Sequence, residues 1–446
     1  MQQALWSRIN AKAISDSVKM LSVGSKQAQL FSKIGLGLCV RGAAAIAGFV
    51  ISFVVARQLG AEQAGYYFLV FNLVMVLAAV SRVGLDNTVV RFTAVASGQP
   101  QSGQDGVSSV LSKASVVSLL VSSFVAVSVW FSARFLAESF FNKPDLMPVL
   151  QNMAPGIVFL SLFTLFAMSL QGLGRAAASV FTVNICVNLL LGVGFAVFAV
   201  SSAADAAVVY AYASFGTVLF GILILRRWIC VTWTPGSWRK LFNSCLPLWL
   251  VVIMSQLSIY GAQFVAGVWL EGEDLAQLAV AQRAAMLMSS VLLVVNLVVA
   301  PMFADLYAKD SHAELQSLVR WCSRLLYIAT IPLAIVFLGF AELIMGIFGD
   351  GFIEGGNVLR ILVIGQLVNV IAGSVGMLLV MSGHEKAYRN IALVTGPLSV
   401  VLALLLVPVF GALGAAAAAA IAMIVHNVLA VIAVRRRLVI NTLVPF

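Results

Sequence analysis

The stretch KIGLGLCVRGAAAIAGFVISFVVARQLGAEQAGYYFLVFNLVMVLAAVSRVGLDNTVVRFTA, residues 33–94, decides the fold. It contains two apolar runs, near 34–56 and 66–83, separated by the polar turn RQLGAEQAG at 57–65. About twenty consecutive apolar residues suffice for a helix to cross a hydrocarbon layer ~30 Å thick. Barrel strands would instead alternate polar and apolar residues over about ten positions. The stretch therefore reads as two helices that cross a membrane and return, with Arg41 alone interrupting the first run.

The rest of the chain repeats this pattern. Further apolar segments fall near 107–131, 149–170, 179–200 and 206–225, then near 244–270, 284–307, 325–347, 357–381, 391–408 and 412–434. Composition agrees: 61% of residues are hydrophobic, 10% are charged, and mean hydropathy is +1.04. Soluble domains carry about 25% charged residues. The expected class is an all-α polytopic membrane protein of about twelve transmembrane helices, in two parallel six-helix lobes around a central cleft.

The basic residues orient the chain. With the N-terminus inside, 21 of the 27 Lys and Arg fall in cytoplasmic loops and termini. Arg57, Arg134, Lys143, Arg283 and Arg360 fall towards the other side, and Arg41 lies within a span. That asymmetry is the positive-inside pattern, so both termini are expected to be cytoplasmic. It also accounts for the net charge of +10 without a nucleic-acid partner.

Four landmarks recur at nearly constant offset. Gly60 corresponds to Gly272, Phe141 to Phe352, Gly172 to Gly383, and Arg226-Arg227 to Arg435-Arg436. Six spans is an even number, so the two repeats start on the same side and are parallel, related by an axis along the membrane normal. The expected organisation is a basic N-terminal segment at 1–32, a six-helix lobe at 33–227, a cytoplasmic linker at 228–243, a second lobe at 244–437 and a tail at 438–446. The linker is basic and Trp-rich and is interrupted by Pro235-Gly236.

Residues 1–32 lack the apolar core of a cleavable signal peptide. Lys12, Lys19, Lys26 and Lys33 recur every seventh position, which suits either a basic amphipathic helix on an anionic leaflet or a charged tail. Cys39, Cys186, Cys230, Cys245 and Cys322 have no metal-type spacing and read as packing residues. No cofactor or metal site is expected. A membrane-embedded glycosyltransferase or polymerase is disfavoured, because the outer loops are short and no large catalytic domain is evident.

Residues 33–94 resemble the opening of the polysaccharide-biosynthesis and O-antigen flippases, within the multidrug/oligosaccharidyl-lipid/polysaccharide transporter superfamily. The resemblance is carried by Leu59-Gly60 with Gly65, by Gly84-Leu85 with Arg91, by LQGLGRAAAS at 170–179 and by IFGDGF at 347–352. It implies movement of a polyprenyl-diphosphate-linked oligosaccharide from the cytoplasmic to the outer leaflet by alternating access. Membrane lipid and the lipid-linked saccharide would be its partners, with polymerase or export enzymes beyond them. A cation-coupled multidrug or small-solute antiporter of the same superfamily is the alternative.

An ionisable residue within a span costs about 2.5–3.5 kcal/mol on insertion scales, so each is a functional candidate. Arg41, Arg91, Arg283 and Arg360 are candidate phosphate ligands, since guanidinium binds phosphate oxygens bidentately. Each has a structural alternative. Arg41 can snorkel, Arg91 can meet lipid phosphate, Arg283 can pair with Glu271, Glu273 or Asp274, and Arg360 can anchor the outer leaflet. Arg82 and Asp86 read as an i,i+4 pair. Gln256, Gln263 and Asn296 are candidate sugar ligands, or else bridges between helices. Among the weaker polar candidates are Asn184, Asn188 and Asn369, while His426 reads as packing.

Overall fold

The computed structural model describes residues 2–97, 103–226 and 238–442, without the side chains of 2–39, 41, 97, 103–105, 239–240, 247, 297–298 and 301. Expectations on Arg41, on the basic stripe of residues 1–32 and on the linker's Trp228, Trp233 and Pro235-Gly236 lie outside the described residues. The main helices are α1 (Gln2–Ser81), α2 (Leu85–Ser97), α3 (Gly103–Phe135), α4 (Leu146–Gly172), α5 (Ala176–Val197) and α6 (Ala203–Leu225). They continue with α7 (Trp238–Trp269), α8 (Gly272–Ala308), α9 (His312–Gly339), α10 (Gly356–Ala372), α11 (Val375–Met381) and α12 (Glu385–Leu438).

Among the described residues, ten helices are long and apolar enough to cross a membrane. Two of these are double. Helix α1 breaks at Gly60 (φ 72°, ψ 174°) and α12 at Gly411 (φ 59°, ψ −134°). Each break separates two of the apolar segments read from the sequence, so twelve segments result. Both breaks need the left-handed φ that glycine adopts at no steric cost.

Two boundaries differ from the sequence expectation. The eighth segment begins at Gly272 rather than near 284, because Glu271 is extended and Glu273 and Asp274 occupy the first turn of α8. Acidic groups suit a helix N-terminus, where they oppose the macrodipole, yet they lower local hydropathy and hide the helix start. The tenth segment is not continuous. It breaks at Gly373 (φ 78°, ψ −155°), and the Tyr327 hydroxyl donates to the Ile371 carbonyl at 3.2 Å beside the break. A freed carbonyl at membrane depth needs such a donor.

Turn geometry also refines the repeat. Gly174 (φ 74°) and Gly383 (φ 75°) are the left-handed turn glycines, whereas Gly172 is helical and packs on Thr93 and Val90. Gly174 is thus the conformational counterpart of Gly383. The Arg82–Asp86 pair forms, with Nε and Oδ1 2.7 Å apart. Cys186, Cys245 and Cys322 are buried free thiols.

Packing follows the halves. Helix α4 lies against α3, α6 and α1, while α12 lies against α7, α10 and α11. The halves meet where α1 packs on α8 and α7. Glu62, Asp145, Glu271 and Glu273 line one pocket at one end of the molecule, here the acidic face. By alternation of the helices, Arg91, Arg175, Arg226 and Arg435–Arg437 fall at the other end, the basic face.

The break at Gly60 can be isolated experimentally, because neither Gly60 nor the helical Gly42 has an atom within 4 Å of an added Cβ. Gly60→Ala is expected to cost about 1–3 kcal/mol, because φ 72° with ψ 174° lies in a region essentially confined to glycine. Gly42→Ala should be neutral or stabilising by about 0.5–1 kcal/mol. Melting of the purified variants in detergent reads the difference.

Candidate substrate cleft

A cavity of about 420 Å³ lies between the halves. Phe49 and Ser52 from the first part of α1, and Tyr67, Phe68 and Phe71 beyond its break, form one side with Asn184 and Asn188 of α5. Helix α8 supplies the other side through Arg283, Met286, Leu287 and Ser290. Arg283 stands about 16 Å along α8 at 1.5 Å per residue. That is mid-depth in a hydrocarbon layer of ~30 Å. The earlier start of α8 therefore moves Arg283 from near a span end to the centre.

Its surroundings are apolar and aromatic. The guanidinium carbon sits 3.9 Å from the Phe68 ring centroid and 5.4 Å from that of Phe71. Cation–π attraction of this kind is worth about 2 kcal/mol when desolvated. It offsets part of the cost of burying the charge and leaves the N–H donors unsatisfied. Nη1 of Arg283 and the hydroxyl of Tyr67 are buried with no hydrogen-bond partner among the described residues. The pairing with Glu271, Glu273 or Asp274 does not form: among the described residues Arg283 makes no ion pair, and the lining of the cavity contains no carboxylate. A half-buried cation whose Nη1 is buried and unpartnered is complementary to an anion with oxygen acceptors.

The halves are clasped at the acidic face. A Cβ on Gly65 would overlap the carbonyl group of Gly272, so two helix backbones touch there. Deeper in, Asn72 Nδ2 donates to Gln263 Oε1 at 2.7 Å, both residues being buried. Lys143 Nζ donates to the carbonyls of Phe141 (3.1 Å) and Gly267 (3.0 Å), and Arg57 Nε to that of Ile347 (3.1 Å). Burial holds the Lys143 ammonium below the ordinary lysine pKa, while Glu271 acts in the opposite sense.

The remaining sequence candidates are dispersed. Gln263 is occupied by Asn72 in the clasp, and Gln256, half-buried on α7, is absent from the cleft lining. Arg91 is exposed at the basic face, 3.2 Å from Ser244 Oγ and stacked on Phe92. Arg360 pairs with Glu342 at 3.1 Å and also donates to Asn357 and the Leu338 carbonyl. Asn296 lines a different cavity in the second half. Of the described sequence candidates, Arg283 lines the central cleft together with Asn184 and Asn188. The stacking partners Phe68 and Phe71 went unread in the sequence, although their i,i+3 spacing in YYFLVF puts them on one helix face. Asn184 lies in a π-helical turn, Phe181–Cys186, a geometry frequent at functional sites.

The family model described as polysaccharide biosynthesis protein matches residues 30–307. Among curated proteins, none matches the sequence. Solved structures with similar folds include an inward-facing multidrug resistance MATE family transporter of the MOP superfamily, at 15% identity and TM-score 0.72, covering 90% of this chain and 98% of that one. The lipid II flippase MurJ in an inward closed conformation gives 14% identity and TM-score 0.72, over 90% and 87% of the two chains. A MOP superfamily transporter from Pyrococcus furiosus gives 17% identity and TM-score 0.66, over 91% and 94%.

Two stability effects follow from the cleft and clasp. Arg283→Met removes an uncompensated buried charge, and its melting temperature should match or exceed that of the wild type. Asn72→Leu or Gln263→Leu alone leaves a buried amide unpaired and should cost about 1–3 kcal/mol. The double variant should melt closer to wild type than the sum of the singles, as a double-mutant cycle on melting curves would read.

Proposed function

From the premise that the chain belongs to the polysaccharide biosynthesis family and has the fold of MOP-superfamily transporters, we propose that it flips a polyprenyl-diphosphate-linked oligosaccharide across the bacterial inner membrane. Movement runs from the cytoplasmic to the outer leaflet. The reading rests chiefly on Arg283, a mid-depth guanidinium with a buried, unpartnered Nη1 in a cleft lined without carboxylates. A diphosphate offers oxygens that a guanidinium takes bidentately, and the Tyr67 hydroxyl adds a donor on the same cavity. Arg41 in the first span is assigned to the same passage as a second cation. Phe68 holds the guanidinium flat, which lysine would not reproduce.

In this proposal the basic face is cytoplasmic, as the positive-inside pattern favours. The lobes at 33–227 and 244–437 rock about the linker at 228–243, between the N-terminal segment at 1–32 and the tail at 438–446. The clasp at the acidic face then belongs to the state that loads from the cytoplasm. Opening it requires parting Gly65 from Gly272 and breaking the Asn72–Gln263 bond, both reversible non-covalent steps. The polyprenyl tail stays in lipid while the saccharide crosses inside, and the product passes to polymerase or export enzymes on the outer side.

The test compares a deletion strain carrying wild type, Arg283→Gln or Arg283→Lys at matched expression. Wild type should restore surface glycan. Arg283→Gln should fail and accumulate lipid-linked repeat units, with Arg283→Lys reduced by about tenfold or more, equivalent to ~1.4 kcal/mol. Normal glycan without accumulated intermediate, in a strain without a redundant flippase, would overturn the proposal. Drug hypersensitivity in that strain would point to the antiporter instead.

A further inference from the structure

The second half contains its own polar chamber. A cavity of about 210 Å³ lies among α7, α8, α10 and α12, and one of about 350 Å³ continues from it along α8, α11 and α12. The two share Asn369, Tyr388, His426 and Asn427. Among the described residues, neither lining contains Asp, Glu, Lys or Arg. Met286 lines both the first of these cavities and the central cleft, so chamber and cleft adjoin at this side chain of α8.

The polar groups around the chamber are only partly satisfied by one another. Asn369 Nδ2 donates to Ser289 Oγ at 3.2 Å and Gln366 Oε1 at 3.3 Å, and Ser289 bonds Gln366 in turn. His426 Nδ1 pairs with Thr395 Oγ1 at 3.0 Å, and its ring stands edge-on to Tyr388 at 5.4 Å. Asn427 Nδ2 donates to the Met423 carbonyl at 2.9 Å, which leaves its own oxygen as an acceptor. Asn296 Oδ1 and Ser374 Oγ, both on the larger cavity, are buried without a partner among the described residues. Leaving such groups unmatched costs about 1–3 kcal/mol each.

The chemistry narrows the ligand. A small cation would call for carboxylates, an anion for Lys or Arg, and an apolar drug would leave the amides unmatched. A neutral polyhydroxylated group offers both donors and acceptors to amides, hydroxyls and imidazole, and its C–H faces pack on rings. We propose that this chamber is the saccharide site of the cargo. Asn296, Asn369, Asn427 and His426 bond sugar hydroxyls, and Tyr388 packs against the ring. The assignment builds on the flippase reading: the diphosphate lies at Arg283 in the cleft, and the sugars extend past Met286 into the chamber.

Binding to purified protein in lipid nanodiscs separates the two ideas. The probes are undecaprenyl diphosphate and the lipid-linked saccharide pool extracted from the deletion strain. Asn369→Leu, His426→Leu and Tyr388→Leu should each weaken the saccharide-bearing lipid by about tenfold, with less than about a twofold change for undecaprenyl diphosphate. Arg283→Gln should weaken both. Should a leucine variant fail to fold, Ser258→Phe fills the chamber from α7 and serves the same comparison. Equal effects of the chamber variants on both probes, or none on either, would overturn the saccharide assignment while Arg283→Gln still weakens both. If Arg283→Gln alters neither probe, or no lipid-linked saccharide accumulates, the flippase reading fails, and the chamber assignment with it.

Discussion

Two helix backbones in van der Waals contact at Gly65 and Gly272 set the geometry of the cleft. No side chain fits between them, so the second part of α1 and the start of α8 cross at the closest distance helices allow. From that crossing the helices run towards the basic face with Phe68 and Phe71 on one and Arg283 on the other. A bulkier contact would separate the guanidinium from the ring it stacks on. The membrane imposes the complementary constraint, since backbone groups must be satisfied within helices and breaks fall where a residue tolerates an unusual φ. Gly60, Gly411 and Gly373 are such places.

Most of the architecture was legible in the sequence because hydropathy and length speak directly to a bilayer. All twelve apolar segments reappear in the helices, including the two pairs fused across Gly60 and Gly411. Reading failed where a polar helix end lay within the membrane-length helix. Glu271, Glu273, Asp274 and Gln277 depress hydropathy at the start of α8, so Arg283 looked peripheral. The break at Gly373 was hidden by uniform apolarity on both sides. Gly172 and Gly174 lie two positions apart in LQGLGR, and only φ distinguishes the helical glycine from the turn glycine.

The candidate site was legible by residue type more than by arrangement. Arg283 stood out as a charge in an apolar run. Its aromatic support comes from a segment some 210 positions earlier, and no local pattern links Phe68 to it. Gln263 illustrates the converse. An amide in a span is equally suited to sugar or to another amide, and Asn72 across the half-to-half seam takes it. Arg360 is similar, since Glu342 and the Leu338 carbonyl occupy it. Isolated polar residues in membrane helices declare that they have a partner without declaring which one.

Helix α8 has two faces in use. Arg283, Leu287 and Ser290 front the central cleft, while Gln282 and Ala285 front the chamber in the second half. A rigid helix cannot turn one face without turning the other by the same angle. Any ligand whose affinity depends on the azimuth of α8 therefore biases the opposite compartment, and thermodynamic reciprocity makes the bias equal in both directions. A single rotating rod would then serve as the differential of the molecule, with torque applied at one compartment felt at the other and no chain of intermediate contacts required.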